Sequence, residues 1–222
     1  MKIIIIGGVA AGAKAAAKAK RLLPDGEVHI YTQDTCVSYS SCGLPYYIAG
    51  DFEDWHKLIV RTTEEFEKSG VHIHTLNRVM KILPADKKVL VKNLETNKCF
   101  FVEYDRLIIA TGSFPYKPEI KNNNLKNIFT LRTLQDGINI REAMEKSNHI
   151  TIIGGGYIAV ELIEAFVKNG KNVTVIECSA FILSVFDEEI SSLIQTFILE
   201  NSNDRVKILN EDSVSEFVGE DK

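Results

Sequence analysis

Apolar positions along this chain fall into short β-branched runs separated by helical stretches, and the sequence of elements occurs twice. Lys2 to Ile6 is a β-branched run ending on Gly7-Gly8-Val9-Ala10-Ala11-Gly12. The alanine- and lysine-rich stretch Ala13 to Leu22 predicts a helix closed by Pro24-Asp25-Gly26, and Val28 to Tyr31 predicts the next strand. Further on, Thr63 to Lys68 predicts a short helix and Val71 to His74 a strand. Val79 to Leu83, Val89 to Val91 and Cys99 to Val102 alternate with turn residues and predict a small antiparallel meander. Asp105 to Gly112 then predicts a buried strand that ends in a glycine turn. Ser113 to Asn124, with Pro115, Pro118 and a run of asparagines, predicts a domain boundary.

After that boundary the pattern restarts. Helix Leu134 to Lys146 precedes strand His149 to Ile153, which ends on Gly154-Gly155-Gly156-Tyr157-Ile158-Ala159. Helix Tyr157 to Asn169, strand Asn172 to Ile176 and a terminal Glu177 follow, then helix Asp187 to Leu199 and strand Arg205 to Leu209. Strand, glycine turn, helix and strand form the first unit of a dinucleotide-binding fold. Its glycines bring the backbone close to a pyrophosphate, which the helix N-terminus holds. The second copy carries the full Gly-x-Gly-x-x-Ala pattern, and Glu177 is placed to accept from an adenosine ribose. As a plain alternative, Glu177 is a solvated strand-end acid. The first copy departs from the pattern: Val9 stands at its middle glycine, and Thr32 stands where an acid is expected. A simple strand-to-helix connection is the alternative there. The predicted fold is α/β, with two tandem Rossmann-like domains at 1–115 and 116–222. The first carries the antiparallel insertion, and the second is expected to be incomplete.

Composition narrows the classes. A hydrophobic content of 45% supports an ordinary packed core. The net charge of -4 and the lack of a Lys/Arg cluster argue against nucleic acid or an anionic membrane as partner. Ile3 to Ile6 is too short for a leader or a membrane span. The four cysteines, Cys36, Cys42, Cys99 and Cys178, lack metal-ligand spacing and histidine pairs. The expectation is therefore a cytoplasmic protein with reduced thiols and no metal.

The stretch Ser38-Tyr39-Ser40-Ser41-Cys42-Gly43-Leu44-Pro45-Tyr46-Tyr47 carries the candidate chemistry. Proline belongs in the first turn of a helix, so Pro45 predicts that Cys42 sits at a helix start. Unpaired N–H groups and the positive dipole end favour a thiolate there, which makes Cys42 a candidate nucleophile. The alternative is a small buried hydrophobe capping the helix.

Tandem dinucleotide folds with a redox-type cysteine after the first resemble the flavin-dependent pyridine nucleotide–disulfide oxidoreductases. Ser38-Tyr39-x-x-Cys42-Gly-Leu-Pro-Tyr46 is similar to the single-cysteine branch, the coenzyme A-disulfide reductases and their persulfide-reducing relatives. The resemblance implies FAD on residues 1–115 and NADH, rather than NADPH, on 116–222. It implies a homodimer for the full-length protein, of which this chain resembles the N-terminal half. Around the flavin it implies Gly7, Gly8, Val9, Ala10, Ala11, Gly12, Thr32 and Ser41, with Ala110, Thr111 and Gly112 as the Ala-Thr-Gly turn. For NADH it implies Gly154, Gly156, Tyr157, Ile158 and Glu177, with Glu161 near the flavin. Cys42 would cycle with coenzyme A as a mixed disulfide, and Ser38, Ser41 and Tyr46 would meet that substrate.

Three alternatives stay open. Two-cysteine reductases place a partner thiol at the position of Val37, and Cys36 is one residue off, which turns it by about 100° on a helix. NADH oxidases and peroxidases of the same family carry a histidine at the position of Ala10. The third is a nucleotide-binding fragment without turnover.

Overall fold

The computed structural model describes residues 1–219. The chain divides into two compact units, Met1–Ser41 with His56–Phe114, and Cys42–Trp55 with the residues from Pro115 on.

The first unit opens with β1 (Lys2–Ile6), α1 (Ala10–Leu22) and β2 (Glu27–Tyr31). The chain then leaves for the second unit, where it forms α2 (Leu44–Ala49). On its return it forms α3 (Thr63–Lys68) and β3 (Val71–His74). A capping box starts α3: Thr62 accepts from the Glu65 N–H, and the Glu65 carboxylate accepts from the Thr62 N–H. β4 (Asn77–Leu83), β5 (Lys88–Asn93) and β6 (Cys99–Glu103) form the antiparallel meander, and β7 (Arg106–Ile109) closes the unit.

The main sheet is parallel, in the order β3-β2-β1-β7. Its centre explains the isoleucine run. Ile3 and Ile5 pack with Ala13 and Ala16 of α1 and Phe66 of α3, whereas Ile4 and Ile6 pack with Val89, Val91 and Val102 of the meander. A parallel strand covered on both faces has no polar side to alternate with. Each isoleucine so buried contributes about 1.5–3 kcal/mol.

Two expectations need correcting. α1 begins at Ala10 rather than Ala13, because Gly12 lies inside its first turn with no Cβ to obstruct it. A Cβ on Gly12 would come within 1.9 Å of the Gly7 carbonyl oxygen. β7 is not a buried strand: it is the sheet edge, and Ile109 is 62% exposed.

The second unit contains α2, α4 (Leu134–Glu145), β8 (His149–Ile153), α5 (Tyr157–Lys168), β9 (Asn172–Ile176), α6 (Glu188–Glu200) and β10 (Val206–Leu209). Its parallel sheet runs β10-β9-β8. The core joins Leu162, Ile163 and Phe166 of α5 to Val173 and Val175 of β9, with Ile48 of α2 and Ile140 and Met144 of α4.

Arg141 of α4 secures the α2 segment. Its guanidinium donates to the carbonyls of Tyr47 and Phe52 at 3.0 Å each and to the Glu53 carboxylate at 2.5 Å. It also lies over the Tyr47 ring, 4.7 Å from the centroid. Lys168 pairs with Asp51, and the Asn169 side chain donates to the Ala49 carbonyl. Among the described residues no helix is long and apolar enough to cross a membrane.

Candidate functional site

The first glycine turn is closed by backbone contacts. Gly7 has φ +101°, and its N–H donates to the Tyr31 carbonyl at 2.8 Å. A Cβ on Gly7 would lie 2.2 Å from the Ala110 carbonyl oxygen, and one on Gly8 would lie 2.7 Å from Val37. The structure thus brings Gly7, Gly8, Gly12 and Ala110 together, with Thr111 and Gly112 exposed just beyond Ala110. Val9 is the N-cap of α1 and supplies no capping side chain, and Ala10 and Ala11 are exposed. The first N–H groups of α1 are therefore left for an anion, which fits a dinucleotide pyrophosphate. Val9 in place of glycine leaves this arrangement intact.

Thr32 is otherwise engaged. It is buried, its N–H donates to the His74 carbonyl, its carbonyl accepts from Asn77 N–H, and its hydroxyl oxygen accepts from Asp34 N–H. A hydroxyl held this way offers a weaker ribose contact than a free carboxylate.

Cys42 lies in a 3₁₀ turn, Ser41–Gly43, and α2 starts at Leu44 with Gly43 as N-cap. This corrects the expected helix start at Cys42: Pro45 occupies the first turn of α2, so the helix begins two residues after the cysteine. The capping-hydrophobe alternative also gives way, because Cys42 is exposed. Tyr46 is exposed, whereas Ser38 and Ser41 are half-buried. Ser38 is held at φ +50° by its N–H to the Gly8 carbonyl and its carbonyl to Val60 N–H. All four cysteines are free thiols.

The second glycine turn is more open. Gly154 has φ +91°, and a Cβ on Gly154 or Gly156 would meet nothing within 4 Å. Gly156 is the N-cap of α5 without a side-chain cap, and Tyr157 and Ile158 are exposed beside it. Tyr157 packs edge-on against Phe186 at 5.9 Å, and Glu161 lies exposed one turn along α5.

Glu177, at the end of β9, turns back onto this loop. One carboxylate oxygen accepts from Gly155 N–H at 2.5 Å, and the other accepts from Ser179 N–H at 2.8 Å and faces the Cys178 thiol at 3.3 Å. Burial opposes ionisation of Glu177, but these N–H donors and the thiol outweigh it and hold the carboxyl below its ordinary value. Glu177 is thus ionised, buried and bonded to the glycine turn, so it is not a solvated strand-end acid.

Sequence reasoning did not find the clamp on this turn. Ile182 fills the space beside Gly155, where a Cβ would come within 2.6 Å, and Leu183 N–H donates to the Gly155 carbonyl at 2.7 Å. Phe181-Ile182-Leu183 reads only as an apolar loop, so nothing in the sequence marks it.

Residues 1–222 match the pyridine nucleotide-disulphide oxidoreductase family. The chain belongs to that family. It is 36% identical over 210 residues to an NAD(P)H coenzyme A polysulfide/persulfide reductase of Pyrococcus horikoshii, an alignment covering 93% of this chain and 46% of the relative. Reduced Bacillus anthracis CoADR-RHD superimposes with a TM-score of 0.92 at 34% identity, covering 97% of this chain and 39% of that one. The water-forming NADH oxidase of Lactobacillus brevis, bound to NADH, gives a TM-score of 0.93 at 28% identity, covering 99% and 48%. The chain therefore spans about half the length of the relatives it matches. The family pairs a flavin with NAD(P)H, and both glycine turns have donors suited to a dinucleotide.

Proposed function

We propose that this chain forms the dinucleotide-binding part of a flavin-dependent NADH oxidoreductase that reduces small-molecule disulfides or persulfides of coenzyme A, with Cys42 as its reactive thiol. The observation that carries the nicotinamide half is Glu177, an ionised acceptor at the end of β9 bonded to the glycine turn. A carboxylate there accepts from a ribose diol and repels a 2′-phosphate, and Cys178 and Ser179 after it provide no cation. This favours NADH over NADPH.

The sulfur half rests on Cys42, which is exposed, free and flanked by Ser41 and Gly43. Its Sγ attacks one sulfur of coenzyme A disulfide, forming a Cys42–coenzyme A mixed disulfide and releasing one coenzyme A thiolate. Bound FAD supplies the two-electron relay between reduced nicotinamide and sulfur. Backbone N–H groups at the start of α1 orient the pyrophosphate of that cofactor, and those of α5 do so for NADH. Ser38, Ser41 and Tyr46 contact the coenzyme A portion in this reading. The same reading places the protein in the cytoplasm, where thiols stay reduced, and takes a homodimer as the assembly of the whole enzyme.

Likeness to the Lactobacillus brevis NADH oxidase supports a second reading in which oxygen replaces the disulfide. The release of coenzyme A thiol from coenzyme A disulfide separates them. The sulfur reading expects about one equivalent per chain, abolished in Cys42→Ser. Release that persists in Cys42→Ser, or no release from the unsubstituted chain, contradicts it.

A further inference from the structure

Strands β2 and β3 bring together three histidines that the dinucleotide reading does not use. Their parallel register sets His29 beside His72 and Tyr31 beside His74. The rings stack in a row, with centroids 4.7 Å apart for His29–His72, 5.4 Å for His29–His74 and 4.3 Å for Tyr31–His74. Nδ1 of His29 lies 3.1 Å from Nε2 of His74, so one nitrogen donates and the other accepts. Nε2 of His29 is buried without a hydrogen-bond partner; the Glu27 carboxylate, 3.6 Å away, is too far for one.

Little around the cluster could compensate a positive charge. β1 contributes Lys2, β2 contributes Glu27 and Tyr31, and β3 contributes His72 and His74. The meander covers Tyr31 on this face with Val89, Val91, Val102 and Tyr104. Glu27 is the one carboxylate among these groups, and its side chain is 64% exposed. Among the described residues no set of three or more His, Cys, Asp or Glu side chains is arranged to hold a metal ion, so the cluster is not a ligand set.

We propose that His29 and His74 form a proton-operated latch that holds β3 and the start of the meander to β2 while the rings are neutral and releases them when both are charged. A hydrogen bond between two imidazoles needs one unprotonated nitrogen. Protonating both rings removes that acceptor and leaves like charges on adjacent, half-buried rings. The backbone bonds next to the pair are the ones the latch protects: Thr32 N–H to the His74 carbonyl at 3.0 Å, and Asn77 N–H to the Thr32 carbonyl at 2.8 Å.

The proton affinities agree with this geometry. Burial, then His72, Lys2 and His74, lower His29 from 6.5 to about 4, with Glu27 opposing in part. Burial, His72 and Lys2 lower His74 as well. A base with a lowered folded value stabilises the fold above its unfolded value and stops doing so as pH falls toward the folded one. The window therefore runs from 6.5 down to about 4. On the dinucleotide reading Thr32 lies beside the adenosine ribose, so acidification also loosens the first cofactor site; the test below does not depend on that reading.

The test is amide hydrogen exchange by NMR at about pH 7 and about pH 4.5, corrected for intrinsic exchange, together with titration of the histidine ring protons. Protection of the Thr32 and Asn77 amides should fall by about tenfold or more at the lower pH. That of Ala110, which bonds to Ile6 on the far side of the sheet, should hold. In His29→Phe, which keeps a ring in the stack but cannot be charged, the fall should be clearly smaller than in the unsubstituted chain, the remainder being the share of His74, which burial, His72 and Lys2 still lower. If that variant does not fold, the Thr32/Ala110 contrast in the unsubstituted chain decides. Equal loss at Thr32 and Ala110, unchanged protection, or His29 titrating at its ordinary value would overturn the latch.

Discussion

The Glu177 carboxylate accepts a hydrogen bond from the backbone N–H of Gly155 at 2.5 Å, tying the end of β9 to the glycine turn that precedes α5. One acid thereby braces the loop and, in the proposed function, selects the nucleotide. The two roles can be separated. Glu177→Ala leaves the buried Gly155 N–H and the half-buried Ser179 N–H without their acceptor, which should cost about 1–3 kcal/mol of stability in a thermal or denaturant melt. The preference for NADH over NADPH should narrow in the same variant, each tenfold change in the ratio of dissociation constants being about 1.4 kcal/mol. Equal affinity for both nucleotides in the unsubstituted chain would remove Glu177 from that role.

The glycines of the two turns should respond unequally to alanine. At Gly12 the new Cβ meets backbone, 1.9 Å from the Gly7 carbonyl oxygen, and cannot be accommodated by a rotamer change. A loss of about 3 kcal/mol or more, or failure to fold, is expected. At Gly156 the Cβ meets nothing within 4 Å and the backbone is extended, so stability should change by less than about 1 kcal/mol. Because the proposed function makes Gly156 a point of close backbone approach to a dinucleotide, NADH binding by Gly156→Ala should nonetheless weaken clearly. Stability by melting and affinity by calorimetry would show the split.

Much of this was legible in the sequence, for physical reasons. Glycines at Gly7 and Gly12 mark places where backbone must pass backbone, and the isoleucine run of β1 marks a strand covered on both faces. The destination of the α2 segment was not legible. Cys42–Trp55 has no periodicity that names its partner, and Arg141 looks like a solvated charge on α4 until its carbonyl partners are seen. The start of α1 was misplaced because glycine reads as a helix breaker, although Gly12 is there for close packing. The histidine row was invisible for another reason: the alternation of His29 and Tyr31 with Val28 and Ile30 shows one face, but only the parallel register sets His72 and His74 beside it.

Arg141→Ala should release the Cys42–Trp55 segment from its unit. The substitution removes two carbonyl contacts, the Glu53 ion pair and the stacking on Tyr47 from a side chain that is 11% exposed. A destabilisation of about 2–4 kcal/mol is expected. Hydrogen exchange or limited proteolysis should register it first between residues 42 and 55. Unchanged protection there would show that Ile48 and its apolar neighbours hold the segment unaided.

Acid should act on the second unit in its own range. The lowered proton affinity of Glu177 means its ionised form belongs to the folded state. Its contribution is present above the ordinary value of 4.5 and is lost as pH falls below that, through the folded value. A melt of Glu177→Gln against pH should converge on the unsubstituted chain below that range and diverge above it. Curves that differ by a constant amount across the whole range would contradict the assignment.

The central claim is that Cys42 alone among four free cysteines is the sulfur-reactive centre. Its most direct test is mass-spectrometric mapping of the adduct formed with coenzyme A disulfide, with Cys42→Ser run alongside. A single coenzyme A adduct on Cys42, absent from the variant, is the expected result. An adduct on Cys36, a Cys36–Cys42 crosslink, or no adduct on any cysteine would contradict it.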